Sequence, residues 1–190
     1  MNRRHLLAAL AGTFAAAACT ETKPQFAGVD VTGADYAKDF RLPDTDGKVR
    51  TLADFKGKIV AVFFGYTQCP DACPTTMAEL AEARKLLGPQ GDKLQVLFVT
   101  VDPERDTDAV LADYAKAFSP QVVGLRGSPN QLADIARTYR VAYEVTKGPP
   151  YEVTHSNAVF FFDRGGRGRL VTTDTTDTAA MAEDVKRLLQ

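Results

Sequence analysis

Ile59 to Phe64 is an unbroken apolar run of six residues, Ile-Val-Ala-Val-Phe-Phe. It constrains the fold more than any other stretch of the chain. The run is too short for a buried helix, and its β-branched start suits a strand. A strand that is apolar on both faces must be covered on both, as a central strand between layers is. Gly65-Tyr66-Thr67-Gln68-Cys69-Pro70-Asp71-Ala72-Cys73-Pro74 follows directly. From Thr75 to Leu87, apolar residues at helical spacing predict a helix. Pro74 fits its first turn, where the missing N–H costs nothing. The first unit is therefore strand, short loop and helix, with two cysteines in the connection.

The pattern repeats downstream. Leu94 to Val101 reads as a second buried strand, Asp108 to Phe118 as a helix and Val122 to Leu125 as a short strand. Ser128-Pro129 opens a helix to about Tyr139, with Ser as N-cap and Pro at the first position. Val159 to Phe162 and Leu170 to Thr172 are strands around a glycine-rich turn, and Thr178 to Leu189 closes as a helix. Strands alternating with helices argue an α/β fold with a central sheet flanked by helices. The antiparallel hairpin at 157–172 makes that sheet mixed. Upstream, Phe40-Arg41-Leu42 and Lys48-Val49-Arg50 flank Asp44-Thr45-Asp46-Gly47, the chemistry of an N-terminal β-hairpin extension. Thr51 to Phe55 is a short helical turn.

A chain of 190 residues, 45% hydrophobic, is expected to build one core. With 23 basic and 24 acidic residues and no charge block, it offers no surface for nucleic acid. No stretch of about 20 apolar residues suggests a spanning helix. The first 18 residues are different material: Asn2-Arg3-Arg4, then an uncharged run from Leu6 to Ala18, ending in small residues before Cys19. That is the plan of a secretory signal. Cys19 after small residues resembles the lipobox of bacterial lipoproteins, although Ala16 stands where that pattern usually has Leu. Arg3-Arg4 also loosely resembles a twin-arginine export signal. The expected organisation is a signal at 1–18, a tether at 19–38 and a domain at 39–190. The expected location is the periplasmic face of a bacterial inner membrane, held there by a lipid on Cys19 or by the signal itself.

Cys69 and Cys73 lie where a central strand ends and a helix begins, the usual position of sites in such sheets. The positive end of the helix stabilises thiolate over thiol. Two adjacent thiolates either bind a soft metal or oxidise to a disulfide. Once the signal is removed, His155 is the only histidine left.

The segment Phe63-Phe64-Gly65-Tyr66-Thr67-Gln68-Cys69-Pro70-Asp71-Ala72-Cys73-Pro74-Thr75-Thr76 resembles the signature of the Sco/SenC family of copper chaperones. Val101-Asp102-Pro103-Glu104-Arg105-Asp106-Thr107 is similar to that family's second signature, and Thr154-His155-Ser156 to its third. The three occur in the expected order. The resemblance implies a thioredoxin-like fold and a role in maturing the dinuclear copper centre of cytochrome c oxidase. It implies one copper per chain, Cu(I) or Cu(II), held by Cys69, Cys73 and His155. The implied partners are the copper-bearing oxidase subunit and an upstream periplasmic copper donor. The ligand chemistry agrees, since thiolates select Cu(I) and imidazole also accepts Cu(II).

Asp102, Arg105 and Asp106 follow a strand end at the same edge. They read equally as a support for His155 or the partner, and as a local ion pair plus helix cap. Asp71, between the cysteines, lends an oxygen to Cu(II) or tunes the local field. Met77 reads as core rather than ligand. Lys147 to Tyr151 reads as a flexible loop that lets His155 swing on and off the metal. The competing function is a thiol–disulfide oxidoreductase in which Cys69 attacks and Cys73 resolves, reducing the cysteines of the oxidase copper site. Two features oppose a thioredoxin-type enzyme: the Cys-x-x-x-Cys spacing, and the absence of proline from residues 151–163. A peroxiredoxin-type peroxidase and a zinc site are weaker readings.

Overall fold

The computed structural model describes residues 25–190. The expected signal at 1–18, Cys19 and the first part of the tether lie outside the described residues. The elements, in chain order, are strands β1 (Val29–Asp30), β2 (Leu42–Pro43) and β3 (Val49–Arg50), a 3-10 turn (Leu52–Phe55), and strand β4 (Ile59–Gly65). Helix α1 (Ala72–Leu86), strand β5 (Leu94–Thr100), helix α2 (Asp108–Phe118), strand β6 (Val123–Leu125) and helix α3 (Pro129–Tyr139) follow. The chain ends with strands β7 (Tyr143–Thr146), β8 (Glu152–His155), β9 (Val159–Phe162) and β10 (Gly168–Thr172) and helix α4 (Thr178–Leu189).

The main sheet has the order β1-β10-β9-β4-β5-β6. β4, β5 and β6 are parallel, while β9 runs antiparallel to β4 and β10 antiparallel to β9. The expected mixed sheet and thioredoxin-like arrangement are present. Every residue of β4 and β5 is buried, as their uninterrupted apolar character requires. Phe63 and Gly65 face the side where α1 and α2 pack: Cys73 crowds Gly65, and the Tyr114 ring of α2 lies 5.1 Å from Phe98. Phe64 faces the other side, where Tyr139 of α3 meets it edge-on at 5.3 Å. Phe63, Phe64, Phe98 and Phe162 are each no more than 1% exposed. Burying such a side chain contributes about 1.5–3 kcal/mol, so the site-bearing end of β4 is held firmly.

Three differences from the sequence reading have clear causes. First, α1 starts at Ala72 rather than Thr75, so Cys73 lies inside the helix while Cys69 stays in the loop before it. The two therefore sit on different elements, a loop and a helix end. Second, the segment expected as tether is attached to the domain from residue 27 onward. The N–H groups of Ala27 and Gly28 donate to the buried carboxylate of Asp184, β1 pairs with β10, and Ala37 is buried. Third, the segment around Lys147 to Tyr151 is framed by a separate two-stranded hairpin, β7–β8, with Tyr143 opposite His155.

Candidate metal centre

Three elements deliver one group each. Cys69 leaves the loop after β4, Cys73 is the second residue of α1, and His155 ends β8. One ligand atom from each residue, two sulfurs and one ring nitrogen, lies within 4.8 Å of the others. Cys73 Sγ is 3.2 Å from His155 Nε2. The Cys73 backbone N–H donates to Cys69 Sγ at 3.4 Å. That bond is made by a helix-terminal N–H with no intrahelical partner.

The histidine tautomer follows from its other nitrogen. Nδ1 lies 3.0 Å from the Ser156 carbonyl oxygen, which only accepts, so Nδ1 carries the proton and Nε2 presents its lone pair to the sulfurs. Burial lowers the imidazole below its ordinary value, although the Ser156 bond opposes this, so the neutral ligand form is favoured. Tyr66 and Phe63 meet the ring edge-on at 5.7 and 6.1 Å and wall the site on the sheet side.

The two thiols differ. Burial works to raise Cys69, but hydrogen bonds from the Asp71 and Cys73 N–H groups and from the Cys73 and Tyr66 side chains hold it below the usual thiol range. Cys73 is 0% exposed. Burial pushes its thiol far up, and the neighbouring Cys69 adds to the shift. The expectation that the helix end favours thiolate therefore applies to Cys69 alone. In the metal-free site Cys73 keeps its one proton, which both Cys69 Sγ and His155 Nε2 are placed to accept. A metal held by Cys69, Cys73 and His155 would take the place of that proton.

The other predicted residues fall into two groups. Asp106, fully buried, accepts from the Thr67 N–H at 3.0 Å and from the Thr67 and Thr100 hydroxyls at 2.6 Å each, which fixes the start of the cysteine loop. Thr107, not Asp106, caps α2 by accepting from the Val110 N–H. Asp102 is 1% exposed and pairs with Arg105, and Arg105 Nη1 donates to Gln68 at 3.2 Å. Both residues thus border the cysteine loop. Asp71 sits exposed at the α1 N-terminus, outside the three-residue group, and contributes through its backbone N–H. Met77 is core. Sequence reasoning missed Gly65 and Tyr151. A Cβ on Gly65 would lie 2.7 Å from Cys73 Sγ, so only glycine lets the thiol pack there. A glycine closing an apolar strand was the available signal.

Comparison with known proteins agrees with this geometry. The SCO1/SenC family model matches residues 29–190. The mitochondrial SCO2 homologue of Bos taurus is 42% identical over 154 residues, 77% of this chain and 56% of that protein. The chain thus spans little more than half the length of that relative. A copper-bound ScoI structure from Bradyrhizobium japonicum is 38% identical, with a TM-score of 0.70 over 78% of this chain and 96% of that one. Apo Sco1 from Thermus thermophilus is 37% identical, with a TM-score of 0.77 over 86% and 97%.

Proposed function

Because this chain belongs to the SCO1/SenC family, we propose that it carries copper on Cys69, Cys73 and His155 and delivers it to the dinuclear copper site of cytochrome c oxidase. The observation that carries this reading is the convergence of two sulfurs and an imidazole nitrogen within 4.8 Å. Two thiolates and one neutral imidazole suit Cu(I), and the imidazole extends the set to Cu(II). Three ligands without a fourth leave the ion open to a partner's incoming ligand. Cys69, half-buried at the rim, is the sulfur such a ligand reaches first. Binding would release the Cys73 proton, because the ion is held by thiolate rather than thiol.

The partner of this reading is the copper-bearing oxidase subunit, with copper supplied by an upstream periplasmic donor. The proposed location is the outer face of the bacterial inner membrane, reached by export and held by lipid on Cys19 or by the leader. The proposed division of the chain has a signal at 1–18 and a membrane-proximal linker that gives way to the domain.

The thiol asymmetry favours a second reading. A low, accessible Cys69 beside a high, buried Cys73 is the arrangement of an attacking and a resolving thiol. Cys69 would attack a disulfide in the oxidase copper site, and Cys73 would then displace the target's second sulfur. The target gains two electrons and two protons as Cys69–Cys73 becomes a disulfide.

Copper titration of the reduced protein separates the two. One copper per chain is expected, with a thiolate-to-Cu(II) absorption band lost in Cys69→Ala, Cys73→Ala and His155→Ala. Absence of stable copper, together with readily cycled thiols, would overturn delivery in favour of reduction.

A further inference from the structure

The hairpin that carries His155 is lightly attached. It stands outside the six-stranded sheet, neither of its strands has a fully buried residue, and its apolar attachment to the core is through the half-buried Tyr143 and Val153. An apolar groove of about 200 Å³, lined by Val101, Pro103, Leu132, Tyr143 and Val145, runs between it and the body. His155 Nε2 nevertheless lies 3.2 Å from Cys73 Sγ. Two side-chain ties join the hairpin to the loop after β5. One is the Lys147–Glu104 ion pair, 62% and 55% exposed, which contributes little.

The other tie is Tyr151. Its hydroxyl donates to Asp102 Oδ1 at 2.9 Å, and Asp102 is 1% exposed. Its ring lies 3.8 Å from the Arg105 guanidinium carbon, a stacked cation–π contact. Arg105 pairs in turn with the second Asp102 oxygen and reaches Gln68, the neighbour of Cys69. Removing the hydroxyl takes a donor from a buried carboxylate, and removing the ring takes the surface on which Arg105 rests.

The geometry points to Tyr151 as a positioning residue for His155, clamped between Asp102 and Arg105. The clamp sets the histidine's hairpin in register with the cysteine loop. Its metal-bound consequence rests on the copper-site reading; its metal-free consequence does not. The experiment therefore has two arms, on the wild type and the Tyr151→Ala, His155→Ala and doubly substituted forms.

In the reduced, metal-free protein, nuclear Overhauser contacts join the His155 ring to the Phe63 and Tyr66 rings in the wild type and are lost in Tyr151→Ala. If Tyr151→Ala fails to fold, Tyr151→Phe serves, since it removes only the hydroxyl, and the same contacts weaken. In the metal-bound arm, Tyr151→Ala lowers Cu(II) affinity by about tenfold, the size expected when a group supporting a ligand is lost. Cu(I) affinity stays within about twofold, because the two thiolates hold that ion. In the His155→Ala background, Tyr151→Ala has no further effect on Cu(II). Unaltered ring contacts, or an equal loss of Cu(II) affinity with and without His155, overturn the clamp. A wild type that takes up no copper overturns the proposed function alone, and the ring contacts then decide the clamp.

Discussion

Cys69 and Cys73 are four residues apart and opposite in character. Cys69 Sγ receives the N–H of Cys73 at the mouth of α1, while Cys73 Sγ is packed against Gly65 and His155. Only thiolate is nucleophilic, so iodoacetamide distinguishes the two. In the folded, metal-free protein the midpoint of the Cys69 rate-against-pH curve lies below that of a free cysteine. Cys73 stays unmodified until denaturant is added. Mass spectrometry of the two peptides reads this directly, and equal labelling of both would remove the asymmetry and the attacking role of Cys69. The pairing of cysteines at a strand end was legible in the sequence, because the apolar run, the loop and the helix announce themselves in order. The asymmetry was not, because it depends on where α1 begins and on what α1 packs against. Tyr151 was illegible for a similar reason: its partner Asp102 is 49 residues away, and no local pattern signals a hydroxyl that reaches across.

Two turns are built on one device. Asp44 accepts from the N–H groups of Asp46 and Lys48 and from Arg50 Nε. Asp163 accepts from the N–H groups of Gly165 and Arg167 and from Arg167 Nε. Three residues after each aspartate stands a glycine at φ +79°, a backbone angle that favours glycine. Burial works against both charges, but the arginine and backbone donors outweigh it and hold both carboxyls below their ordinary value. A carboxyl lowered by folding stabilises the fold above its unfolded value of about 3.9, and the contribution is lost as pH falls toward the folded value. Asp44→Asn and Asp163→Asn should each cost about 1–2 kcal/mol at neutral pH. In urea melts the penalty should shrink below about pH 4, as the wild-type carboxyls protonate. A penalty of the same size at low and neutral pH would show that the charge is not what holds these turns. Helices α2 and α4 start where the sequence predicted, because Thr107 and Asp177 cap their N-termini with side-chain bonds. β1 and the β7–β8 hairpin were harder to read. β1 is two exposed residues, and the hairpin alternates half-buried and exposed side chains around Lys-Gly-Pro-Pro, which locally resembles loop.

At the scale of the molecule, the site lies where three elements meet at the edge of the core. The apolar core holds β4, β5 and β9 together whether or not the thiols are engaged. The cysteine loop, through Tyr66 and Cys69, and the β7–β8 hairpin, through Tyr143 and Val153, rest on the edge of that core and meet at the site. An ion bound to Cys69, Cys73 and His155 would add a direct bond between a loop, a helix end and a hairpin that are already joined by side-chain contacts. It would bind the folded chain more tightly than the unfolded one, which keeps Cys69 and Cys73 four residues apart but does not bring His155 to them. Binding to the folded state alone adds about 2.7 kcal/mol of stability when free ligand is 100 times its dissociation constant. A domain of about 150–250 residues gains about 2–4 °C for each kcal/mol. Buffered Cu(I) at that excess should therefore raise the melting temperature of the reduced protein by up to about 5–10 °C in anaerobic calorimetry, the rise being smaller to the extent that the unfolded Cys69–Cys73 pair also binds. The Cys69→Ala and Cys73→Ala forms should show no such rise, and neither should wild type oxidised to the Cys69–Cys73 disulfide, whose sulfurs are no longer thiolates. An unmoved melting temperature in the reduced wild type would mean that the three groups do not act together on the ion, whatever their proximity. A shift that survives oxidation would place the ion somewhere other than the sulfurs.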